Sequence, residues 1–236
     1  WGESHGKALG VVIDGCPAGL TLCEADIQKY LDRRKPGQTS ISTPRKEADE
    51  AEILSGVFDG RTTGTPISIM VRNTSQISRD YGNLATCYRP GHADYTFEEK
   101  YGIRDYRGGG RSSGRETIGR VAAGAVALKL LAEMGIHVQA YTRSIGDVSI
   151  DDTRFDEAAI LETPTAMPDR AASERAMALL AKAREEMDSL GGCMECRITG
   201  MPAGIGDPVF EKLDANLAKA MMSIGAVKAV EIGDGI

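Results

Sequence analysis

The sequence lacks a long hydrophobic run and an excess of basic residues, and each absence argues against a broad class of protein. Its longest apolar stretches, such as residues 121–131, are short and rich in Ala and Gly, so none predicts a membrane span. The net charge is −6 and the pI is about 5.2, whereas general nucleic-acid binding needs a broad basic surface. We therefore expect no membrane and no nucleic acid among its partners.

Nucleotide-binding and metal-binding motifs are also missing. The chain has no G-x-x-x-x-G-K-[ST] loop, and residues 108–114 fail the G-x-G-x-x-G pattern because Ser113 stands at its last glycine. Neither ATP hydrolysis nor a Rossmann dinucleotide site is therefore indicated. Cys193 and Cys196 have the spacing of a redox or zinc pair, but zinc would need two further ligands that the sequence does not supply. We predict no metal site.

Length and composition allow one or two globular domains, and the lack of repeats and low-complexity linkers favours a single domain over residues 1–236. Hydrophobic residues make up 42% and charged residues 26%, which is the average of soluble globular proteins. The five cysteines are an odd number, which favours free thiols and a cytoplasmic location. Because the sequence begins at Trp1 and stops at Ile236 without a terminal helix or polar tail, we expect a longer protein that extends beyond both ends.

Local patterns predict an α/β fold with antiparallel strands. Capping boxes at residues 21–24 and 113–116 each predict a helix start, and small residues predict that the second helix is closely packed. The polar segment 37–50 is predicted to be a mobile loop. Predicted helices cover residues 24–35, 116–134, 169–190 and 207–222, and predicted strands cover 9–13, 53–58, 66–71, 137–149, 194–199 and 226–232.

Residues 89–120 contain six arginines, one histidine and three consecutive glycines in an otherwise acidic chain. Arginine offers a planar fork of donors that matches phosphate or carboxylate, and backbone N–H groups next to glycines can approach the same oxygens. The helix predicted to start near Ser113 begins beside these glycines, with Arg111 and Arg115 close by. The segment therefore predicts a pocket for a small anion, and His92 indicates proton transfer there.

Two motifs permit other interpretations. Residues 2–6 read GESHG, which has the G-x-S-x-G form of a serine hydrolase with Ser4 as nucleophile, but a strand-like segment follows instead of a helix. A glycine-flanked turn capped by serine explains the motif equally well. Arg33, Arg34 and Lys35 could simply favour the C-terminal end of their helix, and the arginines as a group could form a polyanion-binding module.

Three long segments together resemble the chorismate synthase family, and the resemblance runs over all 236 residues. They are GESHG, RPGHADYTFEEKYGIRDYRGGGRSSGRET and MSIGAVKAVEIGDG. The resemblance implies a β-α-β sandwich with helices packed between antiparallel sheets. It implies a lyase that removes phosphate from 5-enolpyruvylshikimate 3-phosphate to give chorismate, the last step of the shikimate pathway. It also implies reduced FMN (FMNH2) as cofactor, a small phosphorylated substrate as the ligand, and a homotetramer.

Site residues follow from the same resemblance. His5 corresponds to the acid that serves the leaving phosphate and His92 to the histidine that serves the reduced flavin, while Ser4 and Ser113 support them. Substrate binding is expected at Arg34, Arg45, Arg89 and Arg115. Flavin binding is expected at Arg111, Ser112, Ser113, Gly225 and Ala226.

Two departures from the family pattern affect these expectations. Some relatives have an arginine in the loop where this chain has Ser40. The contact that this loop makes with substrate is therefore assigned to Arg45. A later flavin-binding stretch and a C-terminal Arg/Asp segment of the family are absent from residues 1–236, so these residues alone should bind flavin poorly and turn over little. Some family members reduce their own flavin with NADPH, and the sequence leaves that property open.

Overall fold

The computed structural model describes residues 1–35, 48–74 and 84–235. The helices are α1 Glu24–Arg34, α2 Asp94–Tyr101, α3 Thr117–Glu133, α4 Ala159–Glu162, α5 Arg170–Glu185 and α6 Leu213–Met222. The strands are β1 Ala8–Ile13, β2 Ala51–Ser55, β3 Val57–Phe58, β4 Arg61–Thr62, β5 Ile67–Arg72, β6 His137–Ile145, β7 Val148–Ser149, β8 Gly192–Thr199, β9 Gly206–Asp207 and β10 Glu211–Lys212.

The first sheet has the order β1-β5-β2, with antiparallel neighbours, and α1 and α3 pack beside it. Its strands alternate, so that Leu9, Ile67 and Ile69 are buried against the helices while their neighbours face outward. Gly119 lets α3 approach β1 closely, because a Cβ built there would lie 3.0 Å from the carbonyl oxygen of Gly10. The small residues of α3 therefore serve the close packing that the sequence predicted.

The second sheet has the order β7-β6-β8 and is also antiparallel. Tyr141 of β6 is buried in a smaller core with Met167 and residues of α5. Helix α3 contacts β1 and β5 of the first sheet and also β6 of the second. Antiparallel sheets combined with helices confirm the predicted mixed class of fold.

Several boundaries differ from the predictions. Helix α1 is capped by Cys23, whose backbone N–H donates to the Asp26 carboxylate at 3.0 Å, so the predicted capping box at residues 21–24 is displaced by two residues. A short 3₁₀ turn at 114–116 precedes α3. The predicted strand 137–149 is the β6-β7 hairpin, in which Gly146 allows the turn.

The C-terminal part shows two larger errors. Residues 206–212 form the small β9-β10 hairpin, so the final helix starts at Leu213 and not at Asp207–Pro208. The segment 226–232 was predicted as a strand but has no regular structure. Most side chains of these segments are exposed. Their apolar residues therefore do not pack against a sheet within the described residues, although the sequence pattern resembled that of a buried strand.

Candidate functional site

Two histidines that are 87 positions apart pack against consecutive glycines. The His5 imidazole touches Gly108 so closely that an added Cβ would overlap it. The His92 imidazole lies against Gly109, where a Cβ would be 2.7 Å from Cε1 and 2.9 Å from Nε2. Gly108 and Gly109 both have positive φ, +65° and +89°, which is a conformation that favours glycine. The glycine turn therefore holds the two imidazoles as neighbours.

Ser4 and His5 lie in a tight turn that precedes β1, and both are buried, with 2% and 5% exposure. The Ser4 hydroxyl is 3.1 Å from His5 Nδ1 and donates to the Gly108 carbonyl oxygen at 3.4 Å. A hydroxyl that donates to a carbonyl can accept from Nδ1–H. Ser4 thereby holds the Nδ1 edge of the His5 ring against the Gly108 turn.

His92 is oriented by Asp94, the first residue of α2. His92 Nδ1 is 3.0 Å from Asp94 Oδ1, and the Asp94 side chain is 3% exposed. Arg89 donates to both oxygens of this carboxylate, each at 2.8 Å, and Arg104 Nη1 is 3.8 Å away. The hydrogen bond from the Arg89 side chain is the largest cause that holds the pKa of Asp94 well below its usual range. Asp94 thus stays ionised beside His92, and Nη2 of Arg89 also lies 3.2 Å from His92 Nδ1, so both groups hold that edge of the ring.

A second ion-pair cluster is centred on Asp49, whose side chain is fully buried. Arg34 Nη2 is 3.1 Å from one carboxylate oxygen, and Arg115 Nη2 is 3.0 Å from the other. Two guanidinium groups share one carboxylate, so the cluster keeps a net positive charge. Arg34 also donates to the Thr117 hydroxyl at 3.3 Å, which ties the end of α1 to the start of α3. Arg34 therefore does more than favour the end of its own helix.

Asn73 connects the two halves of the site. Its side-chain carbonyl accepts from Nε of Arg115 at 2.9 Å. Its amide group donates to the carbonyl oxygens of Glu3 and Gly6, at 3.0 and 2.8 Å, on either side of the Ser4–His5 pair. The arginine cluster is thereby linked to the turn that carries His5.

The residues expected to contact flavin lie in two places. Arg111 donates to the Gly2 carbonyl at 2.8 Å and Ser112 to the Gly109 carbonyl at 2.8 Å, so both border the histidine pair. The Ser113 hydroxyl accepts from the Arg115 N–H at 3.3 Å and caps the 3₁₀ turn before α3. Gly225 and Ala226 lie just past the C-terminal end of α6. Arg120 of α3 donates to the Ser223 hydroxyl at that end, at 2.6 Å.

A cleft of about 780 Å³ opens beside Gly109 and Gly110. Its lining combines aromatic rings with guanidinium groups and two carboxylates: Phe97, Tyr101, Tyr106, Arg104, Arg107, Arg111, Glu3 and Asp105. Arg107 is paired with Asp105, and its hydrogen bond is the largest cause that lowers the pKa of that carboxyl. Aromatic walls with a cationic rim suit a flat ring that carries an anionic tail, so the donor set fits a flavin mononucleotide.

Arg45 lies outside the described residues, so its expected contact with substrate stays a prediction. In residues 1–35, 48–74 and 84–235, no group of three or more His, Cys, Asp and Glu side chains is arranged to hold a metal ion. The helices in that part of the chain include none that is long and apolar enough to cross a membrane.

The serine hydrolase alternative does not fit the local geometry. Its nucleophile must stand on a sharp turn between a strand and a helix, exposed to the substrate. Ser4 instead is buried in a turn that leads into β1, and its hydroxyl is used to hold His5 and Gly108. The motif is therefore a structural part of the histidine site.

Sequence reasoning missed three residues of this site, namely Asp94, Asp49 and Asn73. Asp94 had a local signal, since it follows His92 by two positions, as expected for a carboxylate that orients an imidazole. Asp49 fell at the end of the segment predicted to be a mobile loop, yet its side chain is buried between two arginines. Asn73 had no recognisable sequence signal.

Comparison with known proteins identifies the same family that the three motifs resemble. The sequence model described as chorismate synthase matches residues 1–236. The chain is 65% identical over 235 residues to the chorismate synthase of Lachnospira eligens, covering 100% of this chain and 64% of that protein. It is 56% identical over 237 residues to the chorismate synthase of Methanococcoides burtonii, covering 100% of this chain and 65% of that protein.

A solved structure extends the comparison to the fold. A chain described as the crystal structure of chorismate synthase superposes with a TM-score of 0.80 at 35% identity, covering 100% of this chain and 67% of that chain. The present chain thus spans about 64% of the length of the first curated relatives it matches.

Proposed function

Because the chain belongs to the chorismate synthase family, we propose that it forms part of an enzyme that eliminates phosphate from 5-enolpyruvylshikimate 3-phosphate to give chorismate. The observation that carries the proposal is the packing of His5 and His92 on consecutive glycines, beside linked arginines. In the elimination, the C–O bond to phosphate and a ring C–H bond break, and a C=C bond forms. Phosphate and a proton leave the ring.

Substrate recognition rests on the arginines. The substrate carries a phosphate and two carboxylates, and we assign its anionic groups to Arg34, Arg45, Arg89 and Arg115. The Arg34–Asp49–Arg115 cluster retains a positive charge in a largely buried setting, where a charge-assisted bond to phosphate is strong. Arg89 donates two hydrogen bonds to Asp94, so its contribution to the substrate comes from a guanidinium with a fixed orientation.

His5 is assigned as the acid that protonates the departing phosphate. Ser4 holds Nδ1, so the imidazolium delivers the proton from Nε2. A proton donated as the C–O bond breaks offsets the charge that develops on the leaving oxygen. The arginine cluster, joined to this turn by Asn73, neutralises the rest of that charge.

His92 is assigned to the reduced flavin, with Arg111, Ser112, Ser113, Gly225 and Ala226 as further contacts. When bound, reduced FMN supplies a reduced flavin ring beside the substrate. The overall elimination nevertheless involves no net redox change. Contacts of Nδ1 with Asp94 and Arg89 fix the orientation of the His92 ring, so its hydrogen bond to a ring heteroatom is assigned to Nε2. The aromatic and cationic cleft beside Gly109 supports this assignment.

The test is anaerobic turnover by the full-length protein. Reduced FMN and 5-enolpyruvylshikimate 3-phosphate are supplied, and chorismate is followed by absorbance. His92→Ala and His5→Ala should each reduce turnover by about 10²-fold or more, since acid–base groups contribute roughly 10²–10⁴-fold. His137→Ala is the matched control, because His137 is the third histidine and is exposed on β6. Unchanged turnover in His92→Ala would remove His92 from the mechanism.

We assign the protein to the cytoplasm as a homotetramer. All five cysteines are free thiols, as a reducing compartment requires. Several large apolar side chains of the C-terminal part are exposed, including Phe210 at 85% and Val209 at 72%, and such a surface suits contact with a partner subunit or with the remainder of the full-length chain. Light scattering of the full-length protein tests the tetramer, and a monomeric mass at micromolar concentration would contradict it.

A further inference from the structure

Asn73 makes four hydrogen bonds, and together they join three separate parts of the chain. Its backbone N–H donates to the Lys7 carbonyl at 3.1 Å, and its side-chain amide donates to Glu3 and Gly6 at 3.0 and 2.8 Å. Its side-chain carbonyl accepts from Arg115 Nε at 2.9 Å. Asn73 directly follows β5, a central strand whose position is fixed by pairing on both sides.

This set of contacts requires an amide. An asparagine side chain supplies two donors and one acceptor, whereas aspartate has no donor when ionised and serine has a single hydroxyl. Both amide donors are used on the two carbonyls that flank Ser4 and His5. The acceptor is used on a guanidinium that is only 6% exposed, where a hydrogen bond to a charged group is stronger than in water.

The position of His5 depends on these bonds. The turn is short and closes with one backbone bond, from the Gly6 N–H to the Glu3 carbonyl at 3.1 Å. The Asn73 amide binds the same two residues from outside the turn, so a loss of its donors releases the backbone on both sides of His5.

We propose that Asn73 is a positioning residue that fixes the His5 imidazole relative to the Arg115 guanidinium. The proposal rests on the proposed function, in which Arg115 holds the phosphate that His5 protonates. The Asn73 side chain then determines the distance between the His5 imidazole and the Arg115 guanidinium. The proton passes from His5 to the phosphate oxygen, and Asn73 itself exchanges none.

The first test observes His5 directly and requires no turnover. Residues 1–236 contain three histidines, and ¹⁵N-histidine NMR of the full-length protein assigns their imidazoles by comparison with His5→Ala, His92→Ala and His137→Ala. Asn73→Ala and Asn73→Asp should both change the resonances and the titration of His5, while those of His92 and His137 stay as in the wild type. Asn73→Asp keeps the side-chain shape and an acceptor for Arg115 but adds a charge, whereas Asn73→Ala adds none. A change of His5 that is common to both variants therefore reports the loss of the two donors.

Ser55→Ala is the matched control. Ser55 also bridges two segments through its side chain, donating to the Pro66 carbonyl at 2.9 Å and accepting from the Ser68 N–H at 3.1 Å. It lies in the same sheet and far from the histidine turn in the strand register. Its loss should reduce stability without changing the His5 resonances.

The second test is kinetic. Asn73→Ala should lower kcat by about 10- to 100-fold, since a misplacement of about 1 Å can cost 10²-fold. In the His5→Ala background the same substitution should change kcat by less than about 2-fold, because residues that act together are not additive. If the wild-type protein makes no chorismate, the proposed function is refuted. The NMR experiment requires no turnover, so it still tests whether Asn73 positions His5. Unchanged His5 resonances in both Asn73 variants, or equal effects in the two backgrounds, would overturn the proposal.

Discussion

The contact between His5 and Gly108 leads to a sharp prediction for Gly108→Ala. A Cβ at this position would overlap the imidazole, so the ring must move by about 1 Å, and such a misplacement can cost about 10²-fold in rate. The left-handed backbone, with φ of +65°, adds about 1–2 kcal/mol of strain for a residue with a side chain. We therefore expect a modest loss of stability and a loss of about 100-fold in kcat.

Gly102→Ala separates the two effects. Gly102 ends α2 with φ of +71°, and an added Cβ there meets nothing within 4 Å. Both variants should lose about 1–2 kcal/mol of free energy of unfolding from the left-handed backbone, and Gly108→Ala should lose more because its Cβ also overlaps a buried imidazole. Only Gly108→Ala should lose turnover.

The measurements are urea denaturation and anaerobic chorismate formation by the full-length protein. If Gly108→Ala keeps wild-type kcat, His5 is not held at a rate-determining position by this glycine, and the reasoning is wrong. Equal kcat losses in both variants would instead assign the effect to backbone strain.

Three further predictions concern neighbouring contacts. Gly109→Ala should displace His92, because the added Cβ would lie 2.7 Å from Cε1 of that imidazole. Turnover should fall about 10²-fold while the ¹⁵N resonances of His5 stay unchanged. Unchanged turnover would contradict this prediction. Asp94→Asn should be less stable than the wild type at pH 7, and this difference in the free energy of unfolding should narrow as pH falls below about 4. The reason is that a carboxylate with a lowered pKa contributes stability above its unfolded pKa and loses that contribution on protonation. A difference that stays constant from pH 7 to pH 3 in denaturant titrations would refute this. Asp49→Ala leaves two buried guanidinium groups without their carboxylate and should cost about 3–5 kcal/mol in urea denaturation, whereas a cost below about 1 kcal/mol would show that the pair is solvated.

The sequence predicted those features of the fold that depend on neighbouring residues. The strand before Asp14, the helix that begins near residue 24 and the small-residue helix before Gly135 follow from periodicity and from glycine at helix ends. After residue 206, where most side chains are exposed, the start of the last helix and the strand 226–232 were predicted wrongly, whereas the helix itself forms as α6. An apolar pattern forms a strand only when another strand pairs with it, and the predicted strand 226–232 has no such partner among the described residues.

Sequence alone also determined the chemistry that the site can contain. The cluster of arginines, the three consecutive glycines and the histidine of residues 89–120 predicted an anionic ligand in an acidic protein, and the long motifs indicated the family that the comparisons show. These properties belong to residue types and short spacings, so they are readable without coordinates.

Only the tertiary structure decided which residues meet. It brings His5 and His92 onto consecutive glycines, places Asp49 between Arg34 and Arg115, and makes Asn73 the link between that cluster and the histidine turn. Most of these contacts join segments that are far apart in the chain and become adjacent because α1, α3 and the first sheet pack into one core. Pairing between such segments depends on the shape of the whole core, which no local pattern contains.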